Sequence, residues 1–82
     1  MEKLRRNIDQ LDAQILELLN ERAKCVLKIG AIKQREKTQV LVLDREIEVL
    51  NRLKKLNRGP MTEKMVMIIF QGIIDTLKDL QK

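Results

Sequence analysis

The stretch LRRNIDQLDAQILELLNERAKCVLKIGAI, Leu4 to Ile32, places apolar residues at the spacing of a helical seam. Alternating steps of four and three residues give the seam positions Leu4, Ile8, Leu11, Ile15, Leu18, Arg22, Cys25, Ile29 and Ile32. Between Glu2 and Gln34 there is no proline and only one glycine, so we expect a single helix about 50 Å long. Arg22 is the only charged residue in the seam, and a guanidinium turned toward a helical core is costly unless an anion meets it.

The chain has 82 residues, which allows one domain at most. Folding at this size buries only about 60% of the surface that the unfolded chain exposes, so such a domain usually needs reinforcement. One cysteine, Cys25, and no histidine leave neither an internal disulfide nor a plausible zinc site. Because two shorter helices cannot cover so long a helix, we expect a second copy along the seam, in an intertwined homodimer.

The composition also bears on location and ligand class. A lone cysteine, a charged start and no run of about 18 apolar residues predict a cytoplasmic protein without a membrane segment. The net charge of +5 is spread along the chain, and Phe70 is the only aromatic residue. This pattern disfavours nucleic-acid binding and favours a small anionic ligand. Without histidine, enzymatic chemistry would depend on arginine, lysine, carboxylates and amides.

Two further helices are expected after the long one. The polar run KQREKTQ, residues 33–39, followed by VLVL, residues 40–43, predicts the first connection. Asp44 can then cap a second helix that ends near Asn57. Gly59 can terminate this helix, and Pro60 cannot continue it. Thr62 is a good N-cap for a third helix, whose apolar residues extend to Leu80. The predicted fold class is all-α, with one long and two shorter helices.

Several cations do not fit this apolar pattern. Lys33 follows Arg22 by about three helical turns, so the two residues lie within about 20° of each other around the helix axis and about 16 Å apart along it. A small dianion could sit between the two side chains. Arg5 lies about 100° away around the helix and about 25 Å away along it. It cannot share that pocket within one chain, but in an antiparallel pairing it could enter the partner's site.

The residues also allow interpretations without a ligand. Arg22 can pair with Glu17, Glu21 or an acid of the partner chain in a polar layer that sets helix register, and spacing alone does not separate this from a ligand site. Arg45 opposes the dipole at the start of the second helix, which a bound anion or a salt bridge would explain equally well. Cys25 is expected to fill the core.

Four segments together resemble the all-helical chorismate mutase family: LRRNIDQLDAQILELLNER, IGAIK, DREIEVL and IFQGIIDTLKDLQ. The similarity extends from Leu4 to Gln81 and includes the Ile8, Asp9 and Asp12 signature. Its most specific part is a set of six polar residues at the family's spacing: Arg5, Arg22, Lys33, Arg45, Glu46 and Gln81. The resemblance implies one chorismate mutase domain over residues 1–82. It further implies a domain-swapped homodimer that converts chorismate to prephenate in phenylalanine and tyrosine biosynthesis.

The resemblance also implies a role for each of the six residues. Arg22 and Arg5 of the partner subunit would bind the two substrate carboxylates. Lys33 would donate to the ether oxygen and help hold a carboxylate, and Gln81 would contact the same oxygen from the opposite side. Glu46 would accept from the ring hydroxyl, with Arg45 supporting this cluster. The reaction needs no cofactor or metal, because it is a unimolecular rearrangement without proton transfer. Val42 and Leu77 depart from polar residues that some members carry.

Two alternatives remain at this stage. Isochorismate-pyruvate lyase is an enzyme of the same fold with a similar cationic pocket, although Glu46 and Gln81 match the mutase pattern. A non-catalytic helical dimerisation or regulatory module would instead use Arg22 and Lys33 only to fix register.

Overall fold

The computed structural model describes residues 1–36 and 42–81, apart from the side chains of residues 34–36, 42 and 43. It contains three α-helices, α1 (Glu2–Glu36), α2 (Val42–Leu56) and α3 (Glu63–Leu77), followed by a 3-10 helix, Lys78–Gln81. The predicted all-α fold with one long and two shorter helices is confirmed.

Helix α1 is longer than the sequence pattern indicated. It continues through Lys33 to Glu36, so the prediction that the connection begins at Lys33 is wrong. The physical reason is that Lys, Gln, Arg and Glu all have high helix propensity and no glycine or proline stops them. Residues 37–41 of the predicted connection lie outside the described residues.

Helix α2 begins earlier than predicted. It starts at Val42, so Asp44 lies in its first turn and not at the N-cap. A carboxylate in the first turn still interacts favourably with the helix dipole, and Lys54 and Lys55 in the last turn complement the opposite end.

The start of α3 is confirmed. Thr62 is its N-cap, with extended backbone angles, and its side-chain oxygen accepts a hydrogen bond of 3.1 Å from the Met65 amide. The turn before it is held by Asn57, whose side chain donates to the Met61 carbonyl at 2.7 Å and accepts from the Gly59 amide at 3.2 Å. The α-helix ends at Leu77, and Leu80 belongs to the 3-10 helix.

The core of the chain is small. Val49, Leu50 and Ile74 form a buried cluster with Leu53 and Phe70 packed against it. Helix α2 packs on α3, whereas α1 makes its main contacts with the 3-10 helix. The molecule is accordingly elongated, measuring 52 × 23 × 16 Å.

Gly30 permits the close packing of α1 on the 3-10 helix. It is buried, and a Cβ atom at this position would lie 3.3 Å from the Cα of Gln81. Contacts this short are rare for real side chains. The absence of a side chain at residue 30 therefore brings Gln81 directly against the long helix.

The apolar seam of α1 is largely open in the single chain. Ile15 is 52% exposed and Leu18 is 68% exposed, although side chains of this type are normally removed from water. A continuous apolar stripe of this length marks a surface that packs against another one. No helix in the described ranges is both long and apolar enough to cross a membrane.

Candidate active site

A cavity of about 470 Å³ lies between α1 on one side and α2, α3 and the 3-10 helix on the other. Arg22 and Lys33 reach it from the same face of α1, separated by about three turns. Its polar lining consists of Arg22, Lys33, Arg45, Glu46, Arg52, Lys78 and Gln81. Its apolar lining includes Val26, Ile29, Val49, Leu53, Phe70 and Ile74. This volume lies within the range of about 300–1,000 Å³ that is usual for small-molecule sites.

The structure brings five of the six predicted site residues to this cavity, and leaves out Arg5. Arg5 lies in the exposed first turns of α1, where its Nη1 is 3.8 Å from Oε1 of Glu2. This position agrees with helix geometry, which predicted that Arg5 and Arg22 of one chain are too far apart to share a pocket. Arg5 therefore lies outside the cavity of its own chain.

The lining contains more positive than negative charge. Arg45 pairs with Glu48 at 2.8 Å, and Lys78 pairs with Glu46 at 2.6 Å. Across residues 1–36 and 42–81, Arg22, Lys33 and Arg52 form no ion pair. Three cations that share one cavity without carboxylate partners favour the binding of an anion with more than one negative charge.

Neither internal acid proposed as a partner for Arg22 pairs with it. Glu21 is 3.0 Å from Lys24 instead, and no ion pair of Glu17 occurs among the described residues. The salt-bridge explanation of Arg45 does hold, since Glu48 lies one turn away on the same helix. That pair is exposed and is worth at most about 1 kcal/mol.

Glu46 is the buried carboxylate of the site. The residue is 9% exposed, and its buried Oε1 atom lies 2.6 Å from Lys78 Nζ. This short ion pair holds one oxygen of the carboxylate against the C-terminal 3-10 helix.

The Glu46 contact also affects Lys78. The short contact with the Glu46 carboxylate raises the pKa of Lys78 above the usual 10.5. Partial desolvation lowers this pKa, and the nearby Asp75 raises it further. Because the folded-state pKa is raised, the ion pair contributes fully below pH 10.5 and is lost only as the pH rises through the higher value. Lys78 is thus a cation throughout the neutral range.

Sequence reasoning missed Arg52 and Lys78. Arg52 follows Arg45 by seven residues, or about two turns of α2, so helical periodicity alone could have placed both on one face. Lys78 follows Phe70 and Ile74 at steps of four residues, and all three line the cavity, so the same periodicity could have placed Lys78 on this face. The prediction that Cys25 fills the core is wrong: it is exposed and lines the cavity.

Leu77 and Val42 are the two residues that depart from the family pattern. Leu77 is half-buried but does not line the cavity, and the Val42 side chain is outside the described set. No cluster of three or more His, Cys, Asp or Glu side chains with the geometry of a metal site occurs in residues 1–36 and 42–81. The cavity can bind a polyanion, orient it and stabilise developing negative charge with fixed cations and an amide.

Comparisons with known proteins give a consistent family assignment. Residues 4–82 match the family model described as chorismate mutase type II. The whole chain is 35% identical to a bifunctional chorismate mutase/prephenate dehydratase of Aquifex aeolicus, of which it covers 24%. It is 40% identical over 85% of its length to the protein of the same name from Neisseria gonorrhoeae, covering 19% of that protein.

A third relative with this name, from Pseudomonas aeruginosa, is 31% identical over the whole chain, which again covers 24% of the relative. The chain therefore spans about a quarter or less of the curated relatives it matches. The part that is matched contains all the residues that line the cavity. With its three-helix fold, its cationic cavity and a family match over residues 4–82, the chain belongs to the type II chorismate mutase family.

Proposed function

We propose that this domain converts chorismate to prephenate. The observation that carries the proposal is that Arg22, Lys33, Arg45, Glu46 and Gln81 line one cavity of about 470 Å³. The family model over residues 4–82 is that of a chorismate mutase, and the relatives carry this activity in their names. Their second named activity, prephenate dehydratase, belongs to proteins about four times longer than this chain.

The proposed mechanism depends on restraint and electrostatics. Arg22 and Lys33 hold a substrate carboxylate and the ether oxygen from the α1 wall, while Gln81 approaches the ether oxygen from the C-terminal wall. Negative charge grows on that oxygen as its bond to carbon breaks, and preplaced donors stabilise it without reorganising. The chair geometry needed for reaction is enforced by the same contacts. No proton is transferred, so the chemistry requires no general base.

The proposed active unit is a homodimer with two such sites. The exposed apolar seam of α1 supports this assembly, as does the position of Arg5 outside the cavity of its own chain. In the dimer, Arg5 of the partner subunit binds the second carboxylate. We further propose a cytoplasmic location, which the lone cysteine favours.

An assay of the purified chain with chorismate tests the proposal, with both chorismate consumption and prephenate formation followed. We expect turnover by the wild type and a loss of 10- to 100-fold in kcat/KM for Arg22→Ala, since a hydrogen bond to a charged group contributes roughly 1.5–3 kcal/mol. The matched control is Arg58→Ala, in the exposed turn after α2, which should keep wild-type kinetics. Circular dichroism verifies that both variants are folded.

Two results would contradict the proposal. Pyruvate release from isochorismate with negligible prephenate formation would indicate the lyase of the same fold. No turnover of either substrate, together with loss of assembly in Arg22→Ala, would indicate a structural module in which Arg22 fixes helix register.

A further inference from the structure

The Lys78 and Glu46 pair lies in the wall of the cavity. Lys78 Nζ is 2.6 Å from Glu46 Oε1 and 3.7 Å from Asp75 Oδ1. Both partners of the short contact line the cavity, whereas Asp75 does not. The pair connects the first turns of α2 to the C-terminal 3-10 helix, so it joins two elements that are distant in sequence.

Burial makes Glu46 depend on a counter-ion. Its side chain is only 11% exposed, and a buried carboxylate is costly unless a cation is paired with it. Within the described ranges, Lys78 is the only cation within 4.0 Å of that carboxylate. The other charged groups that face the same cavity are Arg22 and Lys33 on α1 and Arg45 and Arg52 on α2.

The geometry of the pair restrains the Glu46 carboxylate. Its Oε1 atom is buried and lies 2.6 Å from Lys78 Nζ, so one carboxylate oxygen is held against the 3-10 helix. At 41% exposure of the lysine side chain, the pair adds little to folding stability, so a structural role alone does not account for it.

We propose that Lys78 is a positioning residue that fixes the Glu46 carboxylate in the cavity wall, in the orientation that accepts a hydrogen bond from a hydroxyl of the substrate. The role rests on the proposed function, in which Glu46 receives the ring hydroxyl of chorismate. It assigns to this chain a site residue outside the six that the sequence pattern predicts.

Steady-state kinetics of Lys78→Met and Lys78→Arg test this role. In Lys78→Met we expect kcat to fall at least about tenfold with a smaller change in KM, because each 1.36 kcal/mol of lost transition-state stabilisation costs a factor of ten. Lys78→Arg keeps the charge and should restore most of the activity.

Lys24→Met is the matched control. Lys24 also pairs with a glutamate, Glu21, at 3.0 Å, but both residues lie outside the cavity lining. This variant should show wild-type kcat and KM. Should Lys78→Met fail to fold by circular dichroism, Lys78→Gln provides the same test.

The double variant Lys78→Met/Glu46→Gln shows whether Lys78 acts through Glu46. Because an amide in place of the carboxylate has no charge to pair with Lys78, we expect removal of Lys78 to have little further effect in the Glu46→Gln background. An equal loss in both backgrounds would overturn the proposal, because Lys78 would then act without Glu46. Unchanged kcat in Lys78→Met would also overturn it, while wild-type turnover would leave the proposed mutase function intact. No turnover by the wild type would overturn both.

Discussion

At the scale of single residues, Arg22 shows how far sequence reasoning extends. Its charge in an apolar seam and its three-turn relation to Lys33 predicted that both face one space, and both line the cavity. The pairing of Lys78 with Glu46 could not be predicted, because the two are 32 positions apart and meet only through tertiary packing. Spacing within one helix is fixed by geometry, whereas contacts between helices depend on how their ends are built.

Gly30 offers a test of how precisely Gln81 must be placed. In Gly30→Ala the new Cβ would meet the Gln81 backbone at 3.3 Å, so the 3-10 helix must move by a few tenths of an ångström. The substitution also removes the helix penalty of glycine, about 0.8–1.0 kcal/mol. We expect the free energy of unfolding to change little, while kcat/KM falls about tenfold, because small misplacements of catalytic groups are costly.

Gly72→Ala is the control for this substitution. A Cβ at residue 72 of α3 meets no atom within 4 Å, so we expect a gain of about 0.8–1.0 kcal/mol in unfolding free energy from helix propensity alone and unchanged kinetics. Urea denaturation and the mutase assay measure both properties. If Gly30→Ala were stabilised equally and remained fully active, the close approach would have no functional importance.

At the scale of elements, the helices were easier to predict than their ends. The apolar periodicity of α1 and the Thr62 cap of α3 both appear in the structure. The first residue of α2 and the last residue of α1 were displaced by two or more positions. Helix ends depend on capping and on neighbouring elements, and the 3-10 helix after Leu77 has no sequence signal of its own.

Thr62→Ala tests the contribution of the α3 cap. The hydroxyl that accepts from the Met65 amide at 3.1 Å is lost, and we expect a fall of about 1 kcal/mol in unfolding free energy. Because Thr62 is outside the cavity lining, kcat and KM should not change at temperatures where the protein is folded. Urea denaturation monitored by circular dichroism gives the free energy.

Thr76→Ala separates capping from the general effect of replacing threonine. Thr76 is exposed in the last turns of α3, where alanine has the higher helix propensity. This control should be as stable as the wild type or more so. Equal destabilisation of the two variants would contradict the capping role of Thr62.

At the scale of the whole molecule, the single chain buries too little apolar surface for its length. Its buried hydrophobic residues are only Val49, Leu50, Val66 and Ile74 among those described. The seam of α1 remains exposed, which agrees with the need for reinforcement inferred from 82 residues. The sequence thus indicated that a second surface is required, and the proposed dimer supplies it.

Mixing two variants of low activity tests whether the proposed dimer shares residues between its sites. An Arg5→Ala subunit paired with an Arg22→Ala subunit has one site with both arginines and one site with neither. Random exchange should therefore restore about a quarter of the wild-type activity, since half of the dimers are mixed and each has one intact site of two. Activity is measured after subunit exchange has been verified by mass spectrometry.

The control mixture combines Arg22→Ala with Lys33→Ala. Both residues lie on α1 and line the same cavity, so every site of a mixed dimer retains one defect and no activity should return. Recovery in this control, or no recovery in the Arg5 and Arg22 mixture, would contradict a site that takes Arg5 from the partner subunit.

The way α1 is attached has a consequence for ligand binding. The main contacts of α1 with the rest of its chain are those to the short 3-10 helix, while the cavity has one wall on α1 and another on α2 and the C-terminal residues. A small anion held by both walls is therefore also a crosslink between two parts of the fold. At a ligand concentration a hundred times its Kd, such a crosslink contributes about 2.7 kcal/mol to stability. A substrate bound in this way would be both the molecule that reacts and a transient part of the packed interior.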